Sequence, residues 1–207
     1  MFIEKLEKDK KHLTRLTLPN GDEFLIDNDV CAENRLSKGA ETDEEIIRQL
    51  IEESDYKRAK SRALWLLDRQ DYTEKALYEK LIRAGFKKSS SARVLAKLCE
   101  LGLVDDRRYA ERFAERCAQS NISKREAVHK MLLKGISLDL AKEVTEETGG
   151  DPKEQIRALI EKKYLNKLRD DNGYQKVFAA LARKGFSFDD IKTVIKSYNT
   201  ELEFSEE

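Results

Sequence analysis

The sequence predicts a mainly α-helical protein: three tandem three-helix repeats, preceded by a small β-hairpin or meander. Three similar stretches, LIRAGF, MLLKGI and LARKGF, place Gly85, Gly135 and Gly185 at intervals of 50 residues. Apolar residues recur at helical spacing between them, and the chain of 207 residues has two prolines. Modules of this size gain stability by stacking on one another, so we expect an elongated, curved array with one broad binding face.

The first 40 residues form a small strand-rich region of their own. An Asn20-Gly21 pair follows Pro19 and separates two runs of alternating apolar residues, which is a strong hairpin signal. We predict a three-stranded antiparallel meander, then a short helix from Asp27 to Leu36. A lone hairpin is marginal in water, so this region should pack on the helix that follows.

The next region, 41–104, contains that helix and the first repeat. Thr42 and Glu45 have the spacing of a capping box, which predicts a helix start. The apolar stripe that follows fits either one long helix or two helices joined near Ser54-Asp55.

Each repeat has the same helix-ending signal. Glycine adopts a left-handed conformation at low cost, so each of the three glycines should end a helix, and the apolar residue after it should fold back. Thr73 and Ser123, and less clearly Asn172-Gly173, mark the starts of those helices. Asp151-Pro152 is typical of a helix start with proline at the first position.

The repeat boundaries follow from these signals. The first helices should span about 55–69, 106–118 and 152–169, and the third helices about 88–101, 138–147 and 187–198. The second repeat is then 105–150 and the third 151–199, with a disordered acidic tail at 200–207.

Enzyme chemistry finds no support in the sequence. It has no phosphate-binding glycine loop, dinucleotide fingerprint or zinc-protease motif, and its two histidines, His12 and His129, lie in unpromising contexts. The three cysteines are widely spaced, as expected of small core residues in a reducing compartment. We therefore predict a protein that is not an enzyme and has no cofactor or metal.

Aromatic residues are expected mainly in the core. Their helical spacing favours packing over base stacking, with the two near turns, Tyr72 and Tyr174, expected to be the more exposed. The set is Trp65, Tyr72, Tyr78, Tyr109, Phe113, Tyr164, Tyr174 and Phe178.

Charge is distributed unevenly along a chain whose net charge is zero. Residues 1–54 carry 8 basic and 14 acidic side chains, 55–134 carry 20 and 11, and 135–207 carry 12 and 15. The basic middle is the part suited to a polyanion or an acidic protein surface, although a solvated helix face is the alternative. Candidate contact residues are Lys57, Arg58, Lys60, Arg62, Arg107, Arg108, Arg112, Arg116, Lys124, Arg125, Lys130 and Lys134.

The stretch that begins at Ala63 resembles the RecX family. It reads ALWLLDRQDYTEKALYEKLIRAGF and continues, from Val94, as VLAKLCELGLVDDRRYAERF. The similarity extends over about residues 55–199 through the three repeats. The matching positions are Leu81, Gly85, Phe86, Leu98, Leu101, Gly102, Asp105, Asp106, Tyr109, Ala110 and Phe113.

The resemblance implies a regulator without catalytic residues. RecX proteins are modulators that lie as a curved clamp on the RecA filament on single-stranded DNA and lower its ATPase, strand-exchange and co-protease activity. It implies RecA filament as the partner, with weak direct contact to DNA as a further interaction. Two alternatives stay open: a direct DNA-binding regulator similar to helix-turn-helix proteins, and a helical scaffold for another protein. The charged start and the lack of a long apolar run predict a cytoplasmic protein with no membrane partner. We also expect it to be a monomer.

Overall fold

The computed structural model describes residues 1–9, 12–170 and 172–204, with side chains described up to residue 198. Its contacts divide the chain into two compact units, Met1–Val104 and Asp105–Glu207. Both are mainly helical, and the first also contains a small antiparallel sheet. The predicted fold class, mainly α with an N-terminal meander, is confirmed.

The sheet occupies the start of the first unit. Strands β1 (Lys5–Lys8), β2 (Leu13–Thr17) and β3 (Glu23–Asp27) follow one another in order and pair antiparallel. The turn between β2 and β3 has Gly21 at φ 88°, a backbone conformation that glycine adopts without a steric penalty. The Asn-Gly signal therefore marked the hairpin correctly.

Two helices cover the sheet. Helix α1 (Asn28–Glu33) is shorter than predicted, because Asp27 caps its start and the chain leaves the helix at Asn34. Helix α2 (Glu44–Leu67) packs its first half on the sheet. Their shared core contains Ile3, Leu16, Leu18, Ile26, Val30, Cys31, Ile47 and Leu50.

Helix α2 is continuous through Ser54, which resolves the choice between one helix and two. The backbone N–H of Asp27 donates to the buried Ser54 hydroxyl at 2.7 Å and fixes the end of the sheet on the middle of α2. The predicted capping box at Thr42 is wrong by one residue. The Asp43 carboxylate accepts from the Ile46 N–H at 2.8 Å, while Thr42 is buried beside it.

The first repeat consists of the second half of α2 with α3 (Glu74–Arg83) and α4 (Lys88–Glu100). Thr73 caps α3 as predicted, its hydroxyl accepting from the Ala76 N–H at 3.1 Å. The core combines Ala59, Ala63, Leu66, Leu77, Leu81, Val94, Leu98 and Val104.

The second repeat, in the second unit, consists of α5 (Asp106–Gln119), α6 (Lys124–Leu133) and α7 (Leu138–Thr148). Side chains of Asp105, Ser123 and Ser137 cap the three helix starts. The buried core is Ala110, Ala114, Met131, Ile136, Ala141 and Val144.

The third repeat begins with an interrupted helix. Helix α8 (Pro152–Leu159) passes into a π-helical segment, Ile160–Tyr164, and then into α9 (Leu165–Leu168). The predicted helix over about 152–169 is therefore present, but the π segment inside it was not predicted, since a π turn accommodates an extra residue that the repeat pattern does not show. Asp151 and Pro152 start α8 as predicted.

The remaining helices of the third repeat are α10 (Gly173–Arg183) and α11 (Phe188–Phe204). Helix α11 extends beyond the predicted end at 198, so the predicted disordered tail begins too early, and its last residues, 205–207, lie outside the described residues. Bulky aliphatic side chains fill this core: Ile156, Leu159, Ile160, Val177, Leu181, Phe186, Ile191, Val194 and Ile195.

Ser123 links the second and third repeats. The Ser123 hydroxyl accepts from the Glu126 N–H at 3.2 Å and donates to the Lys184 carbonyl at 2.5 Å, at the end of α10. Ser123 thus caps the start of α6 and donates a hydrogen bond to a carbonyl at the end of α10. N–H groups at helix starts and carbonyl groups at helix ends have no hydrogen-bond partner within their own helix.

Candidate partner-binding surface

The cations of α5 are arranged by its helical period. Arg108, Arg112 and Arg116 are spaced by four residues, so they form one exposed row along the helix, which we call the α5 stripe. Arg107 faces another direction and forms an ion pair with Glu143 of α7 at 2.8 Å. That hydrogen bond raises the pKa of Arg107. Arg108, Arg112 and Arg116 therefore form a surface row, whereas Arg107 links α5 to α7.

An aromatic pair lies beside the α5 stripe. Tyr109 and Phe113 are half-buried, with ring centroids 6.2 Å apart and planes inclined by 14°. The Lys134 ammonium is 5.6 Å from the Phe113 ring centroid, and the Arg116 guanidinium carbon is 5.9 Å from it. Cations thus lie against aromatic faces, which attract them through the ring quadrupole.

Helices α5 and α6 enclose a groove of about 530 Å³ next to these rings. Its apolar part includes Leu133, of which 69% is exposed. Lys130 on its wall is paired with Glu126 at 2.8 Å, and burial raises the pKa of the Cys117 thiol. The α5–α6 groove is lined by Phe113, Arg116, Cys117, Ser120, Ile122, Lys130, Leu133 and Lys134. An apolar groove with a cationic edge suits a partner that is both anionic and partly apolar.

The start of α6 places its two cations differently. Lys124 forms an ion pair with Glu146 of α7 at 2.5 Å, whereas Arg125 is exposed. Lys124 therefore links two helices of its own repeat, and Arg125 presents its charge to solvent.

The candidate residues of α2 belong to the first unit. Lys57 donates to Glu33 at 2.5 Å, and that hydrogen bond raises the pKa of Lys57. Lys60 is half-buried, whereas Arg58 and Arg62 are exposed. The structure thus assigns several predicted contact residues to ion pairs within the fold and leaves others on the surface.

The prediction that Trp65 lies in the core is wrong. Trp65 is 45% exposed, with the Arg62 guanidinium carbon 4.2 Å and the Arg69 guanidinium carbon 3.5 Å from its ring centroid. The buried positions of this part of α2 are Ala59, Ala63 and Leu66, and Trp65 lies on the opposite, arginine-bearing face. The sequence contains a signal for the exposure of Trp65, because the helical period places it in line with Arg58, Arg62 and Arg69.

Two other aromatic residues behave differently from each other. Tyr174 is exposed as predicted, whereas Tyr72 is half-buried and packs on the core of the first repeat, with the Lys80 ammonium 5.3 Å from its ring centroid. The prediction of an exposed Tyr72 is therefore wrong.

Within the described part of the chain, histidine, cysteine and acidic side chains form no cluster that could hold a metal ion. The helices of that part include none with both the length and the apolarity to cross a bilayer.

The comparisons with known proteins match this architecture. One family model, RecX third three-helix domain, matches residues 151–195, and another, RecX first three-helix domain, matches residues 59–98. The regulatory protein RecX of Clostridioides difficile is 30% identical over 211 residues, covering 99% of this chain and 98% of that protein. The regulatory protein RecX of Clostridium tetani is 26% identical over 200 residues, covering 93% and 92%.

Two solved structures share the fold. A crystal structure of regulatory protein RecX has a TM-score of 0.70 and 24% identity, covering 93% of this chain and 98% of that one. The crystal structure of RecX from Lactobacillus salivarius has a TM-score of 0.62 and 25% identity, covering 70% and 97%.

Fold and surface together define a protein of tandem three-helix domains with a cationic helix row. The chain belongs to the RecX family of regulatory proteins, as the full-length match at 30% identity shows. The resemblance stated from the sequence is confirmed.

Proposed function

We propose that this protein binds the RecA filament on single-stranded DNA and lowers its ATPase, recombinase and co-protease activity. Membership of a regulatory family supports a regulatory partner. The resemblance to RecX supports RecA as that partner.

The α5 stripe beside the α5–α6 groove is the observation that supports this proposal most. Three exposed guanidinium groups in one row can bind DNA phosphates or carboxylates of a protein surface. The adjoining rings of Tyr109 and Phe113 and the exposed Leu133 add an apolar contact. A filament of protein and DNA offers both kinds of group to such a surface.

Further properties belong to the same proposal. The protein acts as a cytoplasmic monomer, without catalysis of its own and without a cofactor. Its functional division is a strand-rich region at 1–40, the long helix with the first repeat at 41–104, the second repeat at 105–150 and the third at 151–199.

The test is the ATPase activity of RecA on single-stranded DNA, titrated with this protein at two salt concentrations. We expect inhibition that weakens steeply with salt, because exposed cations bind less tightly when screened. The variant Arg108→Glu/Arg112→Glu/Arg116→Glu should need about tenfold or more protein for half inhibition.

A matched control carries the same charge change elsewhere. Lys153, Lys163 and Lys176 are exposed in the third repeat, and their reversal to glutamate should leave inhibition nearly unchanged. Equal loss in both variants would show that net charge, rather than the α5 stripe, sets affinity. Absence of inhibition by the folded wild-type protein, with a shift of duplex DNA in a gel, would favour the direct DNA-binding alternative.

A further inference from the structure

A second cationic row lies on α2, in the first unit. The row has Arg58, Arg62 and Trp65 on α2 and Arg69 in the turn directly after it, at intervals of four, three and four residues. The helical period places the first three on one side of α2, and Arg69 reaches back to the same indole. All four are exposed. We call this row the α2 stripe; it extends about 16 Å along the helix axis.

The arginines of the α2 stripe keep their charge available. In the described part of the chain none of the three forms an ion pair, whereas Arg48 and Arg93, elsewhere in the first unit, do. The Arg58 guanidinium carbon lies 5.8 Å from the Phe86 ring centroid, and those of Arg62 and Arg69 lie against the Trp65 ring. Asp27 and Asp29 line the same cavity as Arg58, so the charge of the row is least balanced at Arg62 and Arg69, beside the indole.

Trp65 adds an aromatic surface to that charge. Tryptophan is usually highly buried, so an indole that is 45% exposed on a helix already supplied with an apolar core face needs another explanation. The two arginine contacts are exposed cation–π interactions, which are weaker than the stacking of a nucleobase on an aromatic ring. A base can therefore displace a guanidinium group from the ring, and the released group can bind a neighbouring phosphate.

We infer that the α2 stripe is a binding site for single-stranded DNA, in which an unpaired base stacks on Trp65 and phosphates bind Arg58, Arg62 and Arg69. A duplex satisfies the charges but keeps its bases stacked internally, out of reach of the indole. An acidic peptide also satisfies the charges but offers no ring. The combination of an exposed indole and exposed guanidinium groups matches the stacking and cationic groove of single-strand binders.

This site goes beyond the proposed function, because it requires neither RecA nor the α5 stripe. Trp65 is the chain's one tryptophan, so intrinsic fluorescence reports on the site directly. The full chain is titrated with a 15-nucleotide oligothymidylate at low salt. We expect saturable quenching of the indole emission, since a stacked base quenches it.

Two probes of equal length and charge separate stacking from charge. An abasic deoxyribose-phosphate strand and a polyglutamate peptide should each quench Trp65 emission much less than the oligothymidylate. Quenching by either probe that equals that of the oligothymidylate would overturn the inference.

Variants test the affinity, measured by anisotropy of the labelled oligothymidylate. Trp65→Ala should weaken binding about tenfold, and Trp65→Phe should restore most of it because phenylalanine retains a ring. Leu64→Ala is the matched control, because Leu64 is the preceding residue, is 41% exposed and bears no ring. Unchanged binding by Trp65→Ala would also overturn the inference, and circular dichroism would confirm that each variant is folded.

Discussion

The second and third repeats end their middle helices in the same way but fill their cores with different side chains. Gly135 and Gly185 have φ angles of 93° and 90°. After them, the N–H groups of Ile136 and Phe186 return to the carbonyls of Met131 and Leu181, at 3.1 and 3.4 Å. This left-handed ending, with its returning hydrogen bond, is the part of the pattern that the backbone geometry requires.

The cores show how much freedom remains. Three of the six residues in the core cluster of the second repeat are alanines, whereas the cluster of the third repeat consists of isoleucine, leucine, valine and phenylalanine. The starts of the middle helices differ as well. The Ser123 side chain caps α6, whereas Asn172 precedes α10 at φ 58° and makes no side-chain cap. A repeat can thus conserve its turn and still vary core volume and helix starts.

We expect the largest loss of stability when a side chain at equivalent positions of the two cores is truncated to alanine. Met131 and Leu181 are both fully buried. We expect Met131→Ala to cost about 4 kcal/mol and Leu181→Ala about 3 kcal/mol of unfolding free energy. Alanine neighbours have no side-chain rotations with which to fill a cavity, whereas branched aliphatic neighbours can partly collapse into it. Urea unfolding followed by circular dichroism measures both, and a larger cost for Leu181→Ala would contradict this account.

A second contrast concerns the surroundings of the helix-ending glycines. Gly85 and Gly185 share φ near 90°, but a Cβ at Gly85 would meet nothing within 4 Å among the described residues. A Cβ at Gly185 would lie 2.9 Å from the Ser123 hydroxyl and 3.1 Å from the Arg125 Cβ. We expect Gly85→Ala to cost about 1 kcal/mol through backbone strain alone, and Gly185→Ala about 3 kcal/mol because contact is added. Equal shifts of the urea midpoint for the two variants would show that Ser123 and Arg125 move away from the added Cβ at no cost.

Local signals explain which features could be predicted from the sequence. The glycine endings and the caps at Thr73, Ser123 and Asp151 depend on a few neighbouring residues, so they were identified correctly. The π turn at Ile160–Tyr164 has no such signal, because the spacing between the glycines stays at 50 residues on both sides of it.

The candidate surface was less predictable for a related reason. Composition identified a basic middle, but whether a cation faces solvent or pairs with an acid depends on helices distant in sequence. Arg107 pairs with Glu143 and Lys57 with Glu33 for that reason. The exposure of Trp65 could have been predicted from the helical period, since Arg62 and Arg69 lie on the same face.

We expect the smallest loss of stability from serine-to-alanine variants that test the junction between the second and third repeats. Ser123 is buried and makes two hydrogen bonds, whereas Ser137 is exposed and caps α7 through one, from the Leu140 N–H at 3.3 Å. We expect Ser123→Ala to cost about 2 kcal/mol and Ser137→Ala about 1 kcal/mol, because only the first leaves the Lys184 carbonyl without its donor.

The double variant Ser123→Ala/Gly185→Ala sharpens this test. Removing the Ser123 hydroxyl opens the space that a Cβ at Gly185 would occupy, so the added cost of Gly185→Ala should fall by about 1 kcal/mol in that background. Urea unfolding of the four members of the cycle measures this coupling. Strict additivity would mean that the hydroxyl does not set the cost at Gly185, and that backbone strain together with Arg125 accounts for it.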